Sequence, residues 1–205
     1  MKKTEKVAIF GGTFNPPHIG HVRAAERFYA EILPDRLLIM PAFIPPHKQL
    51  DIQASPQDRI NMCSLAFSHI ENVTVSDIEI KRGGKSYTSH TLEELAAEGR
   101  KLYFLCGTDM FLSLDSWYRP EVIFNLATIC YIRRESDREN DSKLIEKKSE
   151  YTQKFNAEII EINTDVLEIS SSEIRSALKN NDSLELLPDS VYEYIKKRGI
   201  YNDAL

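Results

Sequence analysis

The chain has 205 residues, of which 42% are hydrophobic and 28% charged, and its formal net charge is -5. That length suits a single α/β domain, residues 1–205, with a substantial core. The negative balance argues against a broad nucleic-acid face, which needs an excess of Lys and Arg, but it allows a local cationic pocket. Residues 6–10 (KVAIF) form a short apolar run that stops at Gly11-Gly12, the pattern of a buried parallel strand. Residues 21–33 carry apolar side chains at helical spacing. RLLIM at 36–40 reads as a second buried strand ended by Pro41, which completes a βαβ unit. A long proline-rich loop follows, from 41 to 55, and such loops in compact domains are often functional. A helix is expected at 56–68, opened by Pro56. Two short strands are expected at 73–75 and 78–80, then a turn at Gly83-Gly84. Residues 86–99 read as a helix stopped by Gly99. KLYFLCG at 101–107 is a further buried strand. Short helices are expected at 110–114 and 120–125, and a strand at 128–134. The charged stretch 135–149 reads as solvated. The last strand is expected at 157–162 and two helices at 172–179 and 189–197.

Strands alternating with helices imply a Rossmann-like, doubly wound, mostly parallel sheet with helices on both faces. Ligands of such α/β folds bind beyond the carboxyl ends of the strands, at the switch point of the sheet. The loops that begin at Gly11, Pro41, Gly107 and Arg133 therefore matter most. The first reads Gly11-Gly12-Thr13-Phe14-Asn15-Pro16-Pro17-His18-Ile19-Gly20-His21 and holds three of the chain's eight glycines. Glycine lets backbone approach a ligand closely. His18 and His21 are three apart, so at a helix start they face the same way. A helix N-terminus adds unpaired N–H groups and partial positive charge. Together these features make an anion site suited to phosphates. Lys48, in Pro45-Pro46-His47-Lys48 of the next loop, offers a mobile charge for phosphate. Near the end, Ile169-Ser170-Ser171-Ser172-Glu173-Ile174-Arg175 places Ser170 and Glu173 at capping-box spacing, so a helix begins there. Its hydroxyls and first-turn N–H groups can hold phosphate, and Arg175, placed in the first turn, can fork onto one. Gly107-Thr108-Asp109 ends a buried strand on the ligand side. Asp109 there could equally cap the following helix.

The string from Gly11 to His21 resembles the signature of the H-x-G-H nucleotidyltransferase superfamily, most closely the bacterial nicotinate mononucleotide adenylyltransferases. Here H-x-G-H is His18-Ile19-Gly20-His21. The resemblance continues along nearly the whole chain, least clearly at 135–149. It implies transfer of the adenylyl group of ATP to nicotinate mononucleotide, with Mg²⁺ accompanying ATP, in NAD biosynthesis. It implies an ATP site of Gly11, Gly12, Thr13, Phe14, His18, Gly20, His21, Gly107, Asp109 and the stretch Ile169, Ser170, Ser171, Ser172 and Arg175. It puts Lys48 by the substrate phosphates and makes His18, His21, Lys48 and Arg175 the catalytic set. It implies a mononucleotide site in which Trp117 stacks on the pyridine ring. Thr88, within Ser86-Tyr87-Thr88, and the backbone at Tyr118 would meet the nicotinate carboxylate, and Arg133 or Arg134 would close on the phosphate. Asn15 belongs to this second site and stands where family members commonly carry Asp; it keeps hydrogen bonding but loses charge. The family often has Thr at position 172, and Ser keeps the hydroxyl.

No apolar run is long enough to span a bilayer. The opening MKKTEKVAIFGG has a shorter apolar run than a secretory signal. Cys63, Cys106 and Cys130 are scattered in or beside apolar stretches, which suits buried thiols in a reducing compartment better than disulfides or zinc. A cytoplasmic enzyme is expected, with no protein-held metal, no nucleic-acid or membrane partner, and a homo-oligomer compatible with the reading. Transfer to phosphopantetheine or to nicotinamide mononucleotide, or nucleotide binding without turnover, remain alternatives. His18 counts against the first, since those relatives usually carry Thr there.

Overall fold

The run KVAIF lies inside β1 (Glu5–Gly12), the inner strand on which the sheet is built. The computed structural model describes residues 3–46, 54–97, 99–133, 141–163, 169–179 and 185–201. β1 pairs in parallel with β2 (Arg36–Pro41) on one side and with β4 (Arg100–Gly107) on the other. β3 (Val73–Val75), β5 (Ala127–Arg133) and β6 (Ile159–Asn163) extend the sheet to the order β3-β2-β1-β4-β5-β6, parallel throughout. The chain therefore reverses its direction of winding between β1 and β4, the place at the carboxyl edge where folds of this kind bind their ligands.

Strand side chains alternate between two cores, as the period of two requires. Ala8, Leu37, Ile39, Tyr103, Leu105, Cys130 and Ile132 face one core. It is covered by α1 (Ile19–Ile32), α2 (Pro56–Ala66), α8 (Ser171–Lys179) and α9 (Asp189–Arg198). Val7, Ile9, Leu38, Met40, Leu102, Phe104, Cys106, Ile129 and Tyr131 face the other. It is covered by α4 (Thr88–Leu95), α5 (Thr108–Leu112), α6 (Pro120–Leu126) and α7 (Asp141–Phe155). The three cysteines are free and buried, and burial pushes the Cys130 thiol up to about 12.

Several expected boundaries move. Residues 78–80 are not a strand but the start of α3 (Ile78–Arg82). The alternation Ile-Glu-Ile misleads because Glu79 is itself buried, held by the Thr91 hydroxyl at 2.7 Å. The helix from 86 ends at Leu95, and Gly99 instead makes a positive-φ turn into β4. Pro41 is the last residue of β2 rather than its stop. A single turn of 3-10 helix, Leu114–Ser116, continues beyond α5. The stretch read as solvated holds most of α7, which buries Leu144 and Tyr151. Seven residues separate these two, so they share one face of a helix whose other positions are mostly charged. The Tyr151 hydroxyl donates to the Phe111 carbonyl at 2.9 Å, and Lys147 pairs with Asp115 at 2.9 Å.

Asp58 joins α2 to α9. Its carboxylate accepts from Ser55 Oγ at 2.6 Å, from the Tyr194 hydroxyl at 2.8 Å and from Arg198 Nε at 3.3 Å. Burial alone would raise its pKa, but these donors together outweigh it and hold the carboxyl below its usual value. A lowered folded-state pKa stabilises the fold above the unfolded value and ceases to do so as pH falls through the folded one. Asp58→Asn is therefore expected to cost about 1–3 kcal/mol in urea unfolding at pH 7. The difference from the unsubstituted chain should persist down to about pH 4 and shrink below it. A gap that is unchanged at pH 3 would show that the charge contributes nothing.

Candidate active site

β1 ends in Gly11 and Gly12, and the next turn places Phe14 at φ 49 with its ring in the core. The ring lies edge-on to Phe10, His21 and Phe67 at 5.4, 5.0 and 5.8 Å. A Cβ on Gly12 would sit 2.9 Å from the Phe14 ring, so the second glycine is required by close approach.

His18 is the N-cap of α1, with extended backbone (φ -138, ψ 172). Its Nδ1 accepts from the backbone N–H of His21 at 3.3 Å, and the backbone N–H of His18 donates to Nδ1 of His21 at 3.3 Å. This is a capping box built from two imidazoles instead of Ser and Glu. A ring whose Nδ1 accepts a hydrogen bond carries its proton on Nε2. Both rings are therefore fixed as Nε2–H donors, with centroids 3.7 Å apart. His18 is buried. Gly20 between them is buried in the first turn of α1.

The second fingerprint meets the first at this loop. Ser170 and Glu173 form the expected capping box: Ser170 N–H donates to the Glu173 carboxylate at 2.8 Å and Glu173 N–H donates to Ser170 Oγ at 3.1 Å. These bonds from Ser170, backbone first, hold the exposed Glu173 carboxyl below its usual pKa. Ser171 Oγ donates to the Pro16 carbonyl at 3.0 Å. Arg175 donates from Nη1 to the Asn15 carbonyl at 2.8 Å and from Nη2 to Ser172 Oγ at 3.1 Å. Arg175 is the fifth residue of α8, just past the first turn where it was expected. The N-termini of α1 and α8 thus converge on residues 15–16, and their dipoles add positive potential there. Ile169 packs beside the same core.

Asn15 is 2% exposed, and its Oδ1 accepts from the Tyr201 hydroxyl at 2.6 Å. A buried acceptor facing a phenol needs no negative charge, which accounts for an amide at this position. Burial pushes the Tyr201 phenol well above its usual pKa.

Across the switch point, Gly107 N-caps α5. Asp109 is exposed in the first turn and is not the cap. Thr108 Oγ1 donates to the Ile132 carbonyl at 3.0 Å, joining β4 to β5. The segment with Thr88 and the segment with Trp117 come together: the Tyr87 and Tyr118 rings lie 4.5 Å apart and His90 lies 5.4 Å from Tyr118. Trp117 packs edge-on to Phe104 at 6.3 Å. Tyr118 is 47% exposed at the mouth of this cluster. Arg133 grips Asp141 through both oxygens at 2.6 Å, so it would have to change partner to reach a phosphate. Lys48 and Arg134 lie outside the described residues. Sequence reasoning passed over Tyr87, Tyr201 and Arg59. Arg59 left a signal: it shares the apolar stripe of α2 with Met62, Cys63 and Ala66, all buried.

Among the described residues, no three His, Cys, Asp or Glu side chains group as a metal cage. No helix there is long and apolar enough to cross a membrane. Gly12 and Gly107 allow a direct check on the loop. Gly12→Ala is expected to cost about 1–3 kcal/mol by driving a methyl into the Phe14 ring. Gly107→Ala, where an added Cβ meets nothing within 4 Å and only the N-cap preference for Gly is lost, should cost less, below about 1 kcal/mol. Equal midpoints in urea for both variants would contradict the close-approach account.

The family model for cytidylyltransferase-like proteins matches residues 9–177. A relative from Caldicellulosiruptor saccharolyticus, named probable nicotinate-nucleotide adenylyltransferase, is 37% identical over 97% of this chain and 100% of its own. A relative of the same name from Geotalea daltonii is 37% identical over 97% of this chain and 99% of its own. The solved structure of a Plasmodium falciparum nicotinic acid mononucleotide adenylyltransferase complexed with NaAD shares the fold, with a TM-score of 0.76 at 20% identity over 96% of this chain and 97% of that one. The chain belongs to the cytidylyltransferase-like family and, within it, to the nicotinate-nucleotide adenylyltransferases.

Proposed function

We propose that residues 1–205 act as one cytoplasmic nucleotidyltransferase domain that joins the adenylyl group of ATP to nicotinate mononucleotide, giving nicotinate adenine dinucleotide and pyrophosphate. The observation that carries this reading is the pair of imidazoles at the N-terminus of α1, both fixed as Nε2–H donors at the switch point of the sheet. The nicotinate-nucleotide adenylyltransferase relatives lend the substrates their names.

The reaction is displacement at the α-phosphorus of ATP. A mononucleotide phosphate oxygen forms the new P–O bond, and the bond to the β-phosphate oxygen breaks. The attacking phosphate is largely a dianion at neutral pH, so no general base is needed. The chain must align two anions that repel and stabilise charge on the leaving pyrophosphate. His18 and His21 donate from Nε2 to the triphosphate. The hydroxyls and N–H groups at the start of α8 take further phosphate oxygens. Arg175, already braced on the Asn15 carbonyl, is held at the same loop, and Lys48 adds a mobile charge. Mg²⁺ entering with ATP would supply further positive charge against the charge that develops on the leaving pyrophosphate. Trp117, Thr88 and the backbone at Tyr118 are assigned the pyridine ring and its carboxylate. Asn15 supports the mononucleotide side through the loop.

His18 has two separable roles, since it caps α1 and donates to phosphate. His18→Ala is expected to lose about 0.5–2 kcal/mol of stability with the cap. It should lower kcat by roughly 10²-fold. His18→Asn, which keeps an N-cap acceptor, should recover the stability but not the rate. Near-normal kcat in either folded variant would remove His18 from the mechanism.

The pyridine site is tested by substrate choice. Hydroxyl and backbone N–H donors suit both oxygens of a carboxylate, whereas an amide would turn its NH₂ toward one of them. An unpaired buried donor costs about 1–3 kcal/mol, or roughly 5- to 150-fold in kcat/KM. Pyrophosphate release should therefore be fastest with nicotinate mononucleotide, slower by that factor with nicotinamide mononucleotide, and negligible with phosphopantetheine. Equal kcat/KM for acid and amide would overturn the assignment of this pocket.

A further inference from the structure

Arg59, on the inner face of α2, has 0% exposure and heads the fully buried side chains by size. One terminal nitrogen, Nη1, donates to the Thr13 carbonyl at 2.9 Å and to the Ala42 carbonyl at 2.5 Å. Thr13 follows β1 and Ala42 follows β2. Both hydrogens of a single nitrogen therefore join the two loops that leave neighbouring strands at their carboxyl ends. The same loops meet again where the Ala42 N–H donates to the Gly12 carbonyl at 2.8 Å. The other donors of the guanidinium, Nε and Nη2, are buried and have no hydrogen-bond partner among the described residues.

No described carboxylate balances this charge. Asp58, adjacent in sequence, gives its oxygens to Ser55, Tyr194 and Arg198. The titratable groups acting on Arg59 are Cys63 and Tyr201, both buried and both neutral near pH 7. Burial pulls the Arg59 pKa down, yet a guanidinium keeps its proton at neutral pH. An unpaired buried charge is costly, and an apolar side chain would fill the same space without that cost. Buried donors left unmade in a folded protein ask for a functional explanation. Two carbonyls alone need only a neutral donor.

We propose that Arg59 is a positioning residue for adenylyl transfer: it fixes the spacing of the glycine loop and the loop after β2, and the substrate phosphates bound over Thr13 serve as its counter-charge. The inference rests on the phosphate site described above. Arg59 has no surface with which to touch a substrate. It acts through the Thr13 and Ala42 carbonyls and through its field.

The test uses Arg59→Met, which removes charge and donors at similar length, Arg59→Gln, which keeps one donor, and Arg59→Lys, which keeps the charge. Dissociation constants for MgATP are measured by calorimetry, and kcat and KM for both substrates by pyrophosphate release, well below each variant's Tm. Loss of the charge should raise the MgATP Kd and both KM values about tenfold, the order expected for one unit charge acting across roughly 10 Å at an effective dielectric near 20. Arg59→Lys should recover most of that loss. If Arg59→Met does not fold, Arg59→Gln decides, with the same expected rise. Unchanged Kd and KM in a folded neutral variant would overturn the proposal, as would an Arg59→Lys no better than Arg59→Gln, or unfolding of all three. An unsubstituted chain that binds MgATP but transfers nothing to nicotinate mononucleotide would sink the functional reading alone, and the Kd comparison would still decide the role of Arg59.

Discussion

The first turn of any α-helix leaves backbone N–H groups without intrahelical partners, and something must satisfy them. In α1 an imidazole does so: His18 Nδ1 takes the N–H of His21, and His21 Nδ1 takes the N–H of His18. Serine and glutamate would cap the helix equally well. Imidazoles do more, because engaging one ring nitrogen with backbone commits the other to carrying a proton. The folding requirement and the chemical requirement are met by the same two bonds. The helix cannot form its first turn in this way without presenting two Nε2–H donors beside the glycine loop.

Other parts of the chain converge to keep that loop in place. Phe14 plugs the turn into the core, with Gly12 small enough to let its ring pass. Asn15 is held through its side chain by Tyr201 and through its carbonyl by Arg175. Ser171 holds Pro16, and the Ile19 N–H donates to the Leu186 carbonyl at 3.0 Å. Arg59 holds Thr13 from beneath. Residues more than 150 positions away in sequence thus fix a loop of a few residues. Catalysis that depends on aligning two repelling anions needs such rigidity more than it needs a reactive side chain.

The sheet was readable in advance because its strands are continuous apolar runs, such as KVAIF and RLLIM, each followed by a helical pattern. The first anion site was readable because glycines, histidines and a helix start lie within one short string. The misreadings share a physical cause, polar residues turned inward or apolar stripes too narrow to stand out. Glu79 made a helix look like a strand, because alternation assumes that the polar residue faces water. α7 hid behind its charges, since Leu144 and Tyr151 are a full two turns apart. Arg59 left only a faint signal, a charge within an apolar stripe, which gains meaning once the two carbonyls above it are placed. The Tyr87–Tyr118 contact joins segments far apart in sequence, and no local pattern encodes it.

Long-range ¹H–¹⁵N NMR of the histidine side chains tests the central claim most directly, because it reads which ring nitrogen carries the proton. His18 and His21 should both appear as Nε2–H tautomers in the free protein at neutral pH, and both Nε2 resonances should shift when MgATP is added. A proton on Nδ1 of either ring, or Nε2 resonances indifferent to MgATP, would contradict the account that the cap of α1 is what builds the phosphate site.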